Sequence, residues 1–247
     1  MSPSIFKRSA DIVIAGPAGW QDTSAHQADS LRAMLSSGNI LLHGFRLPIF
    51  SFSSKSNMKH LPMVQHRTAE IERAPAYDPR FAAVRTRLCR ILSVILNKPH
   101  QDINMTVLTT GRPGLAGEDA SVSFSLSYYQ SRYCVIALCR GARIGADIQF
   151  LNEHRLANFR WLFDDFLSRR EQFFHPGLTE AEIWVRMEAF SKMTGQGLEA
   201  GLRRLFSIAT GLSVSPIACS FSDFRLAGIA GAVCTEGVQV RQIRLAE

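Results

Sequence analysis

The sequence predicts an α+β protein. Two kinds of segment carry that prediction. Arg80 to Asn97 places Phe81, Val84, Leu88, Ile91, Leu92 and Ile95 at helical spacing, which makes an apolar stripe. Val122 to Tyr128, and much of the chain after Pro216, alternates apolar with small or polar residues as half-buried strands do. The length of 247 residues allows one large domain or two of roughly 120. A hydrophobic content of 46% can fill a sizeable core and argues against disorder.

The elements follow in order. Ile12 to Ala15 reads as a short strand ended by Gly16-Pro17, and Ser30 to Leu35 as a short helix ended by Gly38. Ile40 to Leu42 and Phe45 to Phe52 read as strands. Ser51 to Lys59 is a Ser-rich loop carrying Lys55 and Lys59, either solvated or phosphate-binding. The helix over Arg80 to Asn97 turns Arg80, Arg85, Arg87 and Arg90 away from its apolar stripe; these form a solvated basic face or a phosphate site. Gly111-Arg112-Pro113-Gly114 is a turn. Tyr133 to Cys139 is apolar enough for a strand buried on both sides. Arg140-Gly141-Ala142 then turns the chain, and Arg143 to Gln149 runs back.

Asn152 to Phe174 holds one or two helices, with Leu156, Phe159, Phe163, Phe166 and Leu167 on the apolar side and a capping box at Ser168 to Glu171. Arg155, Arg160, Arg169 and Arg170 are solvated or a docking surface for an acidic protein. A second capping box, Thr179 to Glu182, starts a helix that Gly195 and Gly197 stop. After Leu198 come Leu202, Leu205 and Phe206, then a turn at Gly211. Pro216 to Phe221, Arg225 to Val233 and Val238 to Arg244 are predicted as antiparallel strands, with Ala227, Ile229, Gly231 and Val233 on one face.

The net charge of +7 favours anionic partners: a nucleotide, a phosphorylated cofactor or an acidic protein. Lys and Arg do not interleave with aromatics as in a nucleic-acid groove, so nucleic acid is not the expected partner; a basic nucleic-acid-binding protein remains the rival from another class. The five cysteines are scattered and form no C-x-x-C, which fits reduced thiols in a cytoplasmic protein. No apolar run approaches a membrane span, and Asp11 interrupts what would otherwise follow Lys7-Arg8 as a leader. A soluble cytoplasmic monomer is expected.

The chemistry-bearing pattern lies in two places. Trp184, Glu188 and Lys192 recur at every fourth position, so a carboxylate stands one turn before an ammonium along one stripe of a helix. That is an acid/base pair or an ordinary salt bridge. On the strand before it, alternation puts Asp147 and Gln149 on one face. Two oxygen ligands from a strand and one from a helix are what a hard cation such as Mg2+ needs.

Trp184-Val185-Arg186-Met187-Glu188-Ala189-Phe190-Ser191-Lys192-Met193-Thr194-Gly195-Gln196-Gly197-Leu198 resembles the W-x-x-K-E-A-x-x-K-x-x-G-x-G-L signature of the Sfp-type 4′-phosphopantetheinyl transferases. Gly145-Ala146-Asp147-Ile148-Gln149 is similar to the family's G-[IV]-D-[IVL]-E at the family's separation upstream. Gly111 to Leu115 resembles G-K-P-Y-[LF], Phe124 to Tyr128 resembles F-N-[IL]-S-H, and Arg80 and Arg85 fall on an arginine-bearing helix like the family's. The likeness covers about residues 80–247.

It implies a pseudo-two-fold fold of two similar subdomains, 1–140 and 141–247, each with helices packed on an antiparallel sheet. It also implies transfer of the 4′-phosphopantetheine arm of coenzyme A to a serine of an acyl or peptidyl carrier protein, as in fatty acid, polyketide and nonribosomal peptide biosynthesis. Asp147, Gln149 and Glu188 would hold Mg2+. Glu188 and Lys192 would be catalytic. Arg80, Arg85, Arg112, Ser127, Tyr128 and Lys192 would bind coenzyme A.

Three residues depart from the family pattern. Tyr128 replaces a histidine that binds the 3′-phosphate, and a phenol brings no positive charge. Gln149 replaces a glutamate, and Met187 a lysine. The alternative function is therefore a family member that binds coenzyme A or a carrier protein without transfer.

Overall fold

Two sheets lie face to face, and each carries helices on its outer side. The computed structural model describes residues 8–15, 25–36, 40–46, 79–110, 112–129, 133–151, 177–209, 219–226 and 228–246. The first sheet is five-stranded and mixed, in the order β10 (Val238–Ala246), β1 (Arg8–Ala15), β2 (Ile40–Arg46), β6 (Tyr133–Arg140) and β5 (Val122–Tyr129). The second is antiparallel and three-stranded, in the order β7 (Ile144–Phe150), β9 (Ile229–Glu236) and β8 (Cys219–Leu226). A small hairpin joins β3 (Met105–Val107) to β4 (Pro113–Leu115). The α+β class is as predicted.

The layers follow from which faces are apolar. Helix α1 (Ala25–Ser36) and helix α2 (Pro79–Leu96) bury Leu35, Val84, Leu88, Ile91 and Ile95 against Leu41, Phe124 and Ile136 of the first sheet. The other face of that sheet, with Ile40, Leu42, Val135 and Ala137, packs on Ala146, Ile148 and Val233 of the second. Beyond the second sheet, α3 (Glu180–Thr194) and α4 (Leu198–Ala209) cover Ala230, Ala232 and Cys234. β6 is thus buried on both faces, which explains its unbroken apolar run.

The strand edges meet through serines. β7 is an edge strand, so its outward N–H groups need acceptors. Ala146 N donates to Ser125 Oγ at 2.9 Å and Ile148 N to Ser127 Oγ at 3.3 Å. These serines and Ser123 are the small polar half of the alternation in β5.

Three strand predictions change. β1 pairs in parallel with both β2 and β10, so the first sheet is not purely antiparallel. β10, expected among the closing strands of the C-terminal half, joins the N-terminal sheet instead. The run expected from Arg225 to Val233 is broken by a turn at Gly228, whose φ of 82° suits glycine. Ile229, Gly231 and Val233 do share a face of β9, while Ala227 lies outside the described residues. The expectations for residues 47–78, for the helices and capping box within 152–176, and for the turn at Gly211 also lie outside them. No helix among the described residues is long and apolar enough to cross a membrane.

Candidate active site

Helix α3 is locked at both ends. Thr179 Oγ1 accepts from Glu182 N at 3.3 Å, and the Glu182 carboxylate accepts from Thr179 N at 2.8 Å, the reciprocal capping box. At the far end Gly195 takes the left-handed conformation, φ 72°, and its N–H returns to Ser191 O. Between the caps the helix is buried on nearly every side, with Ile183, Val185, Met187, Ala189, Phe190 and Met193 at 0–1% exposure. Burying a side chain the size of Phe190 contributes on the order of 1.5–3 kcal/mol.

Gly145 lets that helix come close to β7. A Cβ there would stand 1.9 Å from Ala189 O and 2.4 Å from Met193 N. Gly145 therefore faces α3, and by strand alternation so do Asp147 and Gln149. This approach delivers Glu188 and Lys192 to Asp147. Lys192 Nζ donates to Asp147 Oδ1 at 2.6 Å and lies 3.9 Å from Glu188 Oε2. Ser127 Oγ donates to the same Asp147 oxygen at 2.7 Å, so β5, β7 and α3 converge on one carboxylate. Asp147 is 4% exposed and Gln149 8%, whereas the Glu188 and Lys192 side chains are 28% and 33% exposed.

The electrostatics follow from this crowding. Burial, then the Asp147 charge, raise the Glu188 carboxyl to about 7; Lys192 opposes the shift only in part. Burial disfavours the Lys192 ammonium, but Asp147 and Glu188 outweigh it and hold the group above its usual range. Tyr128, half exposed at the end of β5, adds to that field.

Arg112 sits differently from expectation. Its Nη1 donates to Lys192 O at 3.1 Å and to Met193 O at 3.3 Å, and its Nη2 donates to Ser123 Oγ at 3.0 Å and to Phe124 O. Burial, with Arg143 nearby, brings its pKa down to about 10. It clamps the last turn of α3 to β5. Arg112 also lines a cleft of about 390 Å3 with Leu108, Pro113, Ser123, Arg143 and Met193; none of Asp147, Gln149, Glu188 and Lys192 lines it.

Arg85 is exposed on α2, in the helix layer across the first sheet from α3. The side chain of Arg80 lies outside the described residues. The structure thus brings together Asp147, Glu188, Lys192 and Ser127, with Gln149 on the same strand face. It does not bring Arg85 to them. Sequence reasoning missed Ser125, Gly145 and the clamping role of Arg112. The small-polar alternation of β5 and a glycine in an otherwise apolar strand were the available signals.

Among the described residues no three His, Cys, Asp or Glu side chains group to hold a metal. Asp147 and Glu188, with the Gln149 amide on the same strand face as Asp147, remain an all-oxygen donor set, the kind that suits Mg2+ completed by water or phosphate oxygens. The raised Glu188 carboxyl marks a place where negative charge is crowded and a cation would be stabilised. The residues present fit such an ion. No protein-family model matches the chain, and no curated protein is significantly similar to it.

Proposed function

We propose that the chain is an Sfp-type 4′-phosphopantetheinyl transferase with the two-half architecture of that family, a cytoplasmic monomer acting on an acyl or peptidyl carrier protein. The observation that carries the reading is the ion pair of Asp147 with Lys192, beside Glu188. It joins the two sequence motifs on which the resemblance rests. Asp147, Glu188 and the Gln149 amide would hold Mg2+, which neutralises the pyrophosphate of coenzyme A when bound.

The chain's own residues do the rest. Glu188, at the partly exposed end of this cluster, is the carboxylate that would accept the proton of the carrier serine. The serine oxygen bonds to the phosphorus that bears pantetheine, and the bond to the bridging oxygen breaks. Adenosine 3′,5′-bisphosphate leaves, and Lys192 Nζ donates to its new phosphate charge. Ser127 orients Asp147, and Arg112 fixes the turn that carries Lys192, so both act through position. Tyr128 offers one phenolic hydrogen bond to a phosphate. Arg85 has no part in this arrangement.

A second reading, binding of coenzyme A without transfer, is favoured by Gln149, which adds no charge where the family's pattern has a glutamate. Calorimetric titration with coenzyme A tests what both share. Binding that weakens as salt rises is expected. No binding at low salt, with or without Mg2+, would overturn both.

A further inference from the structure

We propose that the Lys192 ammonium is the resident cation of the Asp147–Glu188 site and that a divalent cation enters only by displacing it. The inference rests on the transferase reading for the identity of the ion, but its geometry is independent. The Lys192 Nζ lies 2.6 Å from Asp147 Oδ1 and 3.9 Å from Glu188 Oε2, the place where the two carboxylates face one another. A Mg2+ bound to the same Asp147 oxygen would stand about 2.1 Å from it. The two cations would then be no farther than about 5 Å apart, with little water between them to screen their repulsion.

One of them must move, and the lysine can. Its stem is four flexible carbons, and its side chain is 33% exposed. The backbone stays, because Arg112 holds Lys192 O and Met193 O while Gly145 keeps the helix against β7. Only the ammonium swings. Loading the divalent ion therefore releases a positive charge beside the site, at the moment an anionic substrate can take it. Without the ion, the ammonium pairs with Asp147 and offsets the Glu188 charge in part, which spares Asp147 an unpaired burial.

The direct test is calorimetric titration of the full chain with Mn2+ and Mg2+, comparing wild type, Lys192→Met and Glu188→Gln. Lys192→Met is expected to bind the ion at least about tenfold tighter than wild type, and Glu188→Gln more weakly. Equal or weaker binding by Lys192→Met, or no binding by either protein, would overturn the proposal. Should Lys192→Met not fold, acetylation of wild type by acetic anhydride, mapped by mass spectrometry, decides. Saturating Mg2+ should speed modification of Lys192; an unchanged or slower rate would overturn the displacement. Coenzyme A binding is measured on the same samples. Its absence would sink the transferase reading and leave the displacement standing. Its presence with unaltered metal affinity in Lys192→Met would do the reverse.

Discussion

Glu182 and Glu188 stand on the same helix, less than two turns apart, and their carboxyls are driven in opposite directions. Glu182 accepts from Thr179 N, from Thr179 Oγ1 and from the Arg225 guanidinium. Burial pushes its pKa up, but those hydrogen bonds outweigh burial and hold the carboxyl below its usual range. Glu188 has burial and Asp147 against its charge, and the nearby ammonium sits closer to Asp147 than to Glu188. Burial opposes both charges; at Glu182 the partners outweigh it, and at Glu188 the Asp147 charge adds to it. The carboxylate held by three hydrogen bonds builds the helix, and the one crowded by Asp147 is available for chemistry.

The largest expected effect comes from disturbing the Glu188 end alone. Gly145→Ala puts a methyl where Ala189 O already stands, so α3 must move off β7 and pull Lys192 away from Asp147. We expect a loss of about 3 kcal/mol or more in denaturant unfolding. A loss below about 1 kcal/mol would show that the approach of helix to strand is not fixed there.

The two glutamates themselves come next. Glu182→Ala removes the carboxylate half of the capping box and the Arg225 ion pair, at an expected cost of about 2 kcal/mol. Glu188→Gln should leave stability unchanged or raised at neutral pH, because an amide can donate to Asp147 where a carboxylate repels it. Equal destabilisation by both changes would erase the contrast.

A smaller effect appears in the pH dependence. The Glu188 carboxyl is raised from 4.5 to about 7, so its stabilising contribution is full below about 4.5 and is lost as pH rises through about 7. The Glu182 carboxyl is lowered, so its contribution is present above about 4.5 and is lost as pH falls through its depressed pKa. Wild type should therefore lose Tm relative to Glu188→Gln between about pH 5 and 8. The deficit of Glu182→Ala should shrink only below about pH 4.5. A parallel Tm profile for wild type and Glu188→Gln would show that Glu188 does not titrate in that window.

Much of the helix was legible because its signals are local. The Thr179–Glu182 box, the Gly195 stop and the four-residue spacing of Glu188 and Lys192 each depend on neighbours within a turn or two. The shared face of Asp147 and Gln149 was legible for the same reason, since pleating fixes alternation. Partner choice across the fold was not. Nothing near Arg112 in sequence says that its guanidinium will meet carbonyls of Lys192 and Met193. Nothing near Val238 says that β10 will cross to pair with β1. The burial of α3 on nearly every side also escaped prediction, because its polar stripe is short and its coverage comes from β7, β9 and α4.

The central claim is that Asp147, Glu188 and Lys192 form a transferase site. Its most direct test is the intact mass of apo-carrier proteins, drawn from acyl and peptidyl classes, after incubation with coenzyme A, Mg2+ and either wild type or Glu188→Gln. At least one carrier should gain a single phosphopantetheine mass with wild type. Glu188→Gln should be slower by at least about a hundredfold. Transfer at an undiminished rate by Glu188→Gln, or no mass gain on any carrier by a wild-type protein that binds coenzyme A, would contradict the claim.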